Sequence, residues 1–134
     1  APSITPTTPG AAKATSLVIP EVKGKIDGIS IRVPTPDVSL TELTVEVEQG
    51  TTIDEVNAAF RKASENGPLA GVLEVSDVEL VSSDYIGNPA SYTIDLKSTN
   101  VIDKTLVKVS GWYDNEWGYS CRCVDLLRFM GTRL

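Results

Sequence analysis

Apolar and polar residues alternate along several stretches of the chain, and this two-residue period is typical of β-strands. The predicted strands are residues 29–33, 41–49, 71–75, 78–83, 92–96 and 105–111. Within the first of them the three aliphatic side chains share one face, whereas Ser30 and Arg32 share the other. Such alternation favours an antiparallel sheet that turns one face toward a core.

Three other stretches carry helix signals. Thr52 and Glu55 form a capping box, in which each side chain pairs with the other residue's backbone N–H. We therefore expect a helix to begin at Thr52 and to stop at residues 66–68, which read Asn-Gly-Pro. Another helix is predicted from about Glu116 to a stop at Gly131. A shorter one is predicted over residues 9–18, ahead of Pro20.

The start of the helix predicted over residues 9–18 combines three residues with different roles. Residues 1–9 carry three prolines among Thr and Ser, which predicts an exposed lead-in or linker. Thr8 is a suitable N-cap, Pro9 suits the first helical position, and Gly10 leaves the backbone uncovered. The N–H groups of such a helix start can hold an anion, although an ordinary helix start has the same sequence pattern.

Strands outnumber helices and mostly do not alternate one-for-one with them. This order predicts an α+β fold, with a mixed, largely antiparallel sheet, helices packed on one face, and a C-terminal helix. With 134 residues, the chain is long enough for one domain with its own core.

Composition excludes several classes of function. The chain has no histidine, so it contains neither a Cys/His zinc site nor a Cys-His nucleophile pair, and no metal site is expected. A net charge of −6 with scattered cations argues against nucleic-acid binding. No apolar run approaches the roughly 20 residues that span a bilayer, and no secretion signal is visible. The two cysteines, Cys121 and Cys123, favour a reducing, cytoplasmic compartment.

Two places carry candidate chemistry. Residues 112–120, W-Y-D-N-E-W-G-Y-S, hold both tryptophans and join a predicted strand to the last predicted helix. Asn115 within them is placed either to cap that helix or to meet a ligand. Arg32, on the polar face of its strand, needs an anionic partner if both faces are covered, either a structural carboxylate or a ligand phosphate.

Four motifs, in this order along the chain, resemble phosphorylating glyceraldehyde-3-phosphate dehydrogenase. They are T-P-T-T-P-G-A-A-K-A from Thr5, I-R-V-P-T-P-D-V-S from Ile31, V-K-V-S-G-W-Y-D-N-E-W-G-Y-S from Val107, and V-D-L from Val124. The resemblance covers essentially the whole chain. It implies that residues 1–134 are the C-terminal portion of that family's catalytic domain, without the nucleotide-binding domain.

The family's activity then becomes an expectation for the parent protein. In the family, a cysteine activated by a histidine attacks glyceraldehyde 3-phosphate, hydride passes to NAD or NADP, and inorganic phosphate releases 1,3-bisphosphoglycerate. The resemblance places both reacting side chains upstream of this chain, so the chain has no catalytic residue and is expected to be inactive alone. The family is tetrameric through this domain, which implies a homo-tetrameric parent.

Matched to the family's motifs, Arg32 corresponds to the arginine that binds the substrate phosphate. Gly10 corresponds to the glycine at the attacking-phosphate site, with Thr8 beside it. Pro9 departs from the family's usual threonine and offers neither a hydroxyl nor an N–H to phosphate. Asn115 corresponds to the asparagine that hydrogen-bonds the nicotinamide carboxamide, and Tyr119 is expected near the same pocket.

Two alternatives remain open at this point. One is a related aldehyde-phosphate dehydrogenase, such as an erythrose-4-phosphate dehydrogenase, whose motifs are less similar to these. The other is a non-catalytic assembly or binding module, which describes the 134 residues taken alone.

Overall fold

The computed structural model describes residues 3–8 and 10–133, except for the side chains of residues 12 and 13. The chain divides between Pro36 and Asp37 into two compact units. The first contains β1 (Thr5–Thr7), α1 (Ala11–Val18) and β2 (Ser30–Arg32). The second contains β3 (Ser39–Glu46), α2 (Ile53–Glu65), β4 (Leu73–Ser76), β5 (Tyr92–Ile102), β6 (Leu106–Tyr113) and α3 (Trp117–Gly131).

The first unit is built on a two-stranded antiparallel ribbon, in which Thr5 lies opposite Arg32 and Thr7 lies opposite Ser30. The residues of β1 are exposed, as the prediction of an exposed lead-in requires, but the prediction of a linker is wrong for them because they pair as a strand. Proline is tolerated at position 6 because both strands of a two-stranded ribbon are edges. None of the residues described in this unit is buried, and the aliphatic face of the predicted strand at 29–33 is exposed.

The first helix begins later than the sequence predicts. Gly10 occupies the N-cap position without a side-chain hydrogen bond, and its carbonyl accepts the first helical bond, from the Ala14 N–H at 3.1 Å. The prediction that Thr8 caps this helix is wrong, because pairing with β2 holds the chain extended as far as Thr7. The predicted first helical residue, Pro9, lies outside the described residues.

The second unit is a four-stranded sheet in the order β3-β6-β5-β4. Only β4 runs parallel to its neighbour, β5; the other two pairings are antiparallel. α2 packs against β4 and β5, which bury aliphatic side chains such as Ile94 and Leu96. The structure confirms the α+β class with a mixed, largely antiparallel sheet and a C-terminal helix.

Local signals account for two connections in this unit. The predicted capping box is present: Thr52 Oγ1 accepts the Glu55 N–H, and the Glu55 carboxylate accepts the Thr52 N–H at 2.9 Å. The β5–β6 hairpin turns at residues 103–105, between the paired Ile102 and Leu106, and Asp103 and Lys104 have positive φ values of 49° and 64°. The strand predicted at 78–83 is wrong, because that segment leads into a 3₁₀ turn, Ser82–Tyr85.

Candidate functional site

The connection between β6 and α3 is held by an aromatic stack and by close packing at a buried glycine. Trp112, near the end of β6, stacks on the buried Tyr85 with ring centroids 5.6 Å apart and planes 14° from parallel. Gly118, in the first turn of α3, is buried so close to the loop before β5 that a Cβ there would lie 2.7 Å from the Ala90 carbonyl oxygen. These contacts fix the direction in which the chain leaves the sheet.

Asp114 is the residue that caps α3. One carboxylate oxygen, Oδ1, accepts the N–H groups of Glu116 and Trp117 at 2.9 and 2.7 Å. The other, Oδ2, accepts the Gly87 N–H at 2.8 Å. The side chain is buried, with only 2% of its surface exposed. Burial opposes ionisation, but the hydrogen bonds from Trp117, Gly87 and Glu116 outweigh it and lower the pKa of Asp114.

Sequence reasoning missed this role. Asp114 and Asn115 are adjacent, and both residue types are favoured at helix N-caps, so the composition of the turn gives no preference between them. The alternative in which Asn115 caps the helix is wrong. No local signal separates the two residues, since each carries a side-chain oxygen that can accept the first helical N–H groups.

Asn115 points its amide in a different direction. Its Oδ1 accepts a hydrogen bond from the Ser39 hydroxyl at 2.9 Å, and the residue is exposed. It lines an open groove of about 300 Å³ together with Tyr119, Arg122 and Ser91. The sequence-based expectation that Asn115 and Tyr119 lie near one pocket therefore has a geometric counterpart in this groove.

The other side chains at the groove differ in how firmly they are held. Arg122 is anchored, because it donates to Ser91 Oγ at 3.1 Å and to the Asp125 carboxylate at 2.9 Å. Tyr119 is 71% exposed, and its hydroxyl interacts with Cys123, one turn further along α3, which raises the pKa of Tyr119. The groove is thus lined by one hydrogen-bonded cation, one hydrogen-bonded amide and one exposed phenol.

The residues at the start of β3 contact the connection between β6 and α3. Val38 is buried and has a φ of 72°, a conformation that is strained for a β-branched residue. Its N–H donates to the Asp37 carboxylate at 2.6 Å, and the Asp37 side chain lies close to that of Asp114. On the other side of Val38, Ser39 holds Asn115.

The predicted phosphate ligands lie in the first unit, and the predicted nicotinamide ligands lie in the second. Arg32 is exposed and, within residues 3–8 and 10–133, its side chain makes no hydrogen bond or ion pair. The ribbon register places Arg32 opposite Thr5, three residues before Thr8. At roughly 3.3 Å per residue, the backbone positions of Arg32 and Thr8 are about 10 Å apart along the ribbon. The backbone of Thr8 therefore does not lie directly opposite Arg32.

The described part of the chain contains no helix with the length and apolarity that crossing a membrane requires. Within the same residues, no group of three or more Cys, Asp or Glu side chains is arranged to hold a metal ion.

Comparison with known proteins identifies the family. A model of the glyceraldehyde 3-phosphate dehydrogenase C-terminal domain matches residues 1–115. Over its full length the chain is 58% identical to glyceraldehyde-3-phosphate dehydrogenase 2 of Streptomyces avermitilis, of which it covers 40%. It is 54% identical over 133 residues to the enzyme of that name from Geobacillus stearothermophilus, covering 99% of this chain and 39% of the relative.

A chloroplastic relative is about as similar. Glyceraldehyde-3-phosphate dehydrogenase A of Chlamydomonas reinhardtii is 57% identical over 124 residues, which cover 92% of this chain and 33% of the relative. The chain thus spans about two fifths or less of the length of these relatives. The resemblance seen in the four sequence motifs is confirmed, and the chain belongs to the glyceraldehyde 3-phosphate dehydrogenase family, as its C-terminal domain.

Proposed function

We propose that this chain is the C-terminal portion of the catalytic domain of a phosphorylating glyceraldehyde-3-phosphate dehydrogenase. The full-length protein, called the parent enzyme below, oxidises glyceraldehyde 3-phosphate with NAD or NADP and adds inorganic phosphate to form 1,3-bisphosphoglycerate in cytoplasmic carbon metabolism. The observation that carries this proposal is the match of 54–58% identity along nearly the whole chain to proteins of that name. The nucleophilic cysteine and the histidine base belong to the part of the parent outside this chain.

Arg32 binds the phosphate of the substrate in this proposal. An exposed guanidinium without an ion pair in the described residues supports the role, because a structural arginine would already hold a carboxylate, as Arg122 holds Asp125. Its planar donor fork matches the geometry of a phosphate.

Thr8, Pro9 and Gly10 hold the attacking inorganic phosphate. Gly10 is the N-cap of an eight-residue helix and places no side chain over the first N–H groups. Because Thr8 does not cap that helix, its hydroxyl remains for the anion. The separation of about 10 Å along the ribbon supports two phosphate positions rather than one shared position.

Asn115 hydrogen-bonds the carboxamide of the nicotinamide, with Tyr119 beside it. The groove that both residues line supports this assignment. The parent is a homo-tetramer, and the exposed aliphatic side chains that share one face of β3, Leu43 and Val45, support a subunit interface on this sheet.

Steady-state kinetics of the parent enzyme test the proposal. Arg32→Ala removes charge-assisted hydrogen bonds worth roughly 1.5–3 kcal/mol, so kcat/KM for glyceraldehyde 3-phosphate is expected to fall about 10- to 150-fold. Arg61→Ala is the matched control, because Arg61 pairs with Asp77 at the surface, 3.1 Å away, and has no part in the site. If the Arg32→Ala enzyme is folded and its kinetics are unaltered, Arg32 does not bind the substrate phosphate and its role is structural.

The inorganic-phosphate position is tested separately. Pro9→Thr adds a hydroxyl and an N–H, and we expect a lower KM for phosphate; Thr8→Ala is expected to raise it. If neither variant changes this KM, the attacking phosphate binds elsewhere. The 134-residue chain alone is expected to reduce no NAD in the presence of both substrates.

A further inference from the structure

The hydroxyl of Ser39 and the amide of Asn115 come from positions 76 residues apart in the chain and meet at 2.9 Å. We propose that Ser39 is a positioning residue for cofactor binding: it holds the Asn115 amide so that its NH₂ group, rather than its carbonyl, faces the nicotinamide. This inference rests on the proposed function, in which Asn115 meets the cofactor carboxamide.

The position of Ser39 is itself fixed by the sheet. It is the first residue of β3 and pairs with Tyr113, the last residue of β6. The preceding residue, Val38, is buried with a φ of 72°. Strained backbone of this kind persists only where surrounding contacts over-determine it. Ser39 therefore presents its hydroxyl from a rigid edge and not from a free loop.

The hydrogen bond has a chemical consequence for Asn115. An asparagine amide carries one acceptor oxygen and one NH₂ donor group, and a half-turn about its last bond exchanges them. The Ser39 hydroxyl donates to the oxygen, whereas the NH₂ group has no partner within residues 3–8 and 10–133. The side chain thus offers donors to the groove, and donors recognise the carbonyl oxygen of a carboxamide.

Helix capping does not explain why the Asn115 side chain is held. Asp114 already accepts the N–H groups at the start of α3. Asn115 is exposed, so its amide has water available and needs no protein partner for burial. Orientation of the amide toward a ligand is the effect that we assign to the Ser39 contact.

A matched pair of variants isolates the hydroxyl. Ser39→Thr and Ser39→Val have the same shape in the parent enzyme and differ only in the hydroxyl group. The net value of one hydrogen bond predicts a KM for NAD about 2- to 10-fold higher in the Val variant than in the Thr variant. If the parent enzyme does not use NAD, the same measurement is made with NADP. KM for glyceraldehyde 3-phosphate is expected to be the same in both variants.

A double-mutant cycle shows whether Ser39 acts through Asn115. In an Asn115→Ala background, the difference between the Thr and Val variants is expected to disappear, since no amide remains to be oriented. A difference of the same size in that background would overturn the inference. Equal KM values for NAD in the two single variants would also overturn it.

The orientation is tested with the 3-acetylpyridine analogue of NAD, which keeps the carbonyl and replaces the NH₂ of the carboxamide by methyl. Because the proposed contact is to the carbonyl, the Thr–Val difference is expected to persist with the analogue. Its loss would mean that Asn115 presents its oxygen instead. If Asn115→Ala itself leaves KM for NAD unchanged, the proposed cofactor role of Asn115 fails, and that outcome is distinct from a failure confined to Ser39.

Discussion

Replacing Asp114 by asparagine removes one negative charge and one acceptor oxygen from the start of α3. An asparagine oxygen in the place of Oδ1 still caps the N–H groups of Glu116 and Trp117, since asparagine and aspartate are equally good N-caps. The amide nitrogen in the place of Oδ2 then faces the Gly87 N–H, and two donors oppose each other. The perturbation therefore falls on the loop that contains Gly87 rather than on the helix.

The expected magnitude follows from the one hydrogen bond that is lost. A hydrogen bond to a charged group contributes about 1.5–3 kcal/mol, and Asp114 is 2% exposed, so water does little to replace it. The free energy of local opening at Gly87 should fall by that amount in the parent enzyme. Its amide would then exchange roughly 10- to 150-fold faster at pH 7.

Hydrogen exchange resolved to short peptides provides the assay. Peptides that contain Gly87 should exchange faster in Asp114→Asn, whereas those that contain Trp117 should change much less. Equal acceleration in both would mean that the carboxylate acts on the helix and the loop as one unit. No acceleration at Gly87 would refute the assignment of the hydrogen bond.

The pH dependence has a definite sign. The hydrogen bonds to the Asp114 carboxylate lower its pKa in the folded protein. Its contribution is therefore fully present above the ordinary carboxyl value of about 3.9 and is lost as the pH falls through the lower, folded value. The stability difference between wild type and Asp114→Asn should stay constant from pH 8 to pH 5. A difference that decays within this range would mean that burial outweighs the hydrogen bonds.

Two further substitutions test packing and turn geometry through the thermal unfolding of the parent enzyme. Gly111→Ala places a Cβ against the Tyr92 ring and 2.6 Å from the Thr93 carbonyl oxygen, so we expect the free energy of unfolding to fall by about 1–3 kcal/mol from overpacking. An unchanged melting temperature would contradict this expectation. Lys104→Gly relieves a φ of 64° in the hairpin turn, and we expect it to raise the free energy of unfolding by about 1 kcal/mol. Asp103→Ala is the control, because alanine at a φ of 49° gains no such relief. A lower melting temperature for Lys104→Gly would show that the turn is not strained.

The sequence by itself determined the elements whose signals are local. The capping box at Thr52 and Glu55 needs only groups within four residues, and the helix it predicts begins where the structure has α2. The stop at Gly131 and the turn at 103–104 were recognisable for the same reason. The family motifs, which are local patterns too, gave the identity of the domain.

The tertiary structure decided the rest. A proline-rich segment such as residues 1–9 resembles a linker, and Thr5–Thr7 becomes a strand only because β2, more than 20 residues later, pairs with it. Asp114 and Asn115 are equivalent caps by sequence. Their roles separate because Gly87 supplies an N–H to one and Ser39 a hydroxyl to the other, and both partners come from distant parts of the chain that only the folded sheet brings together.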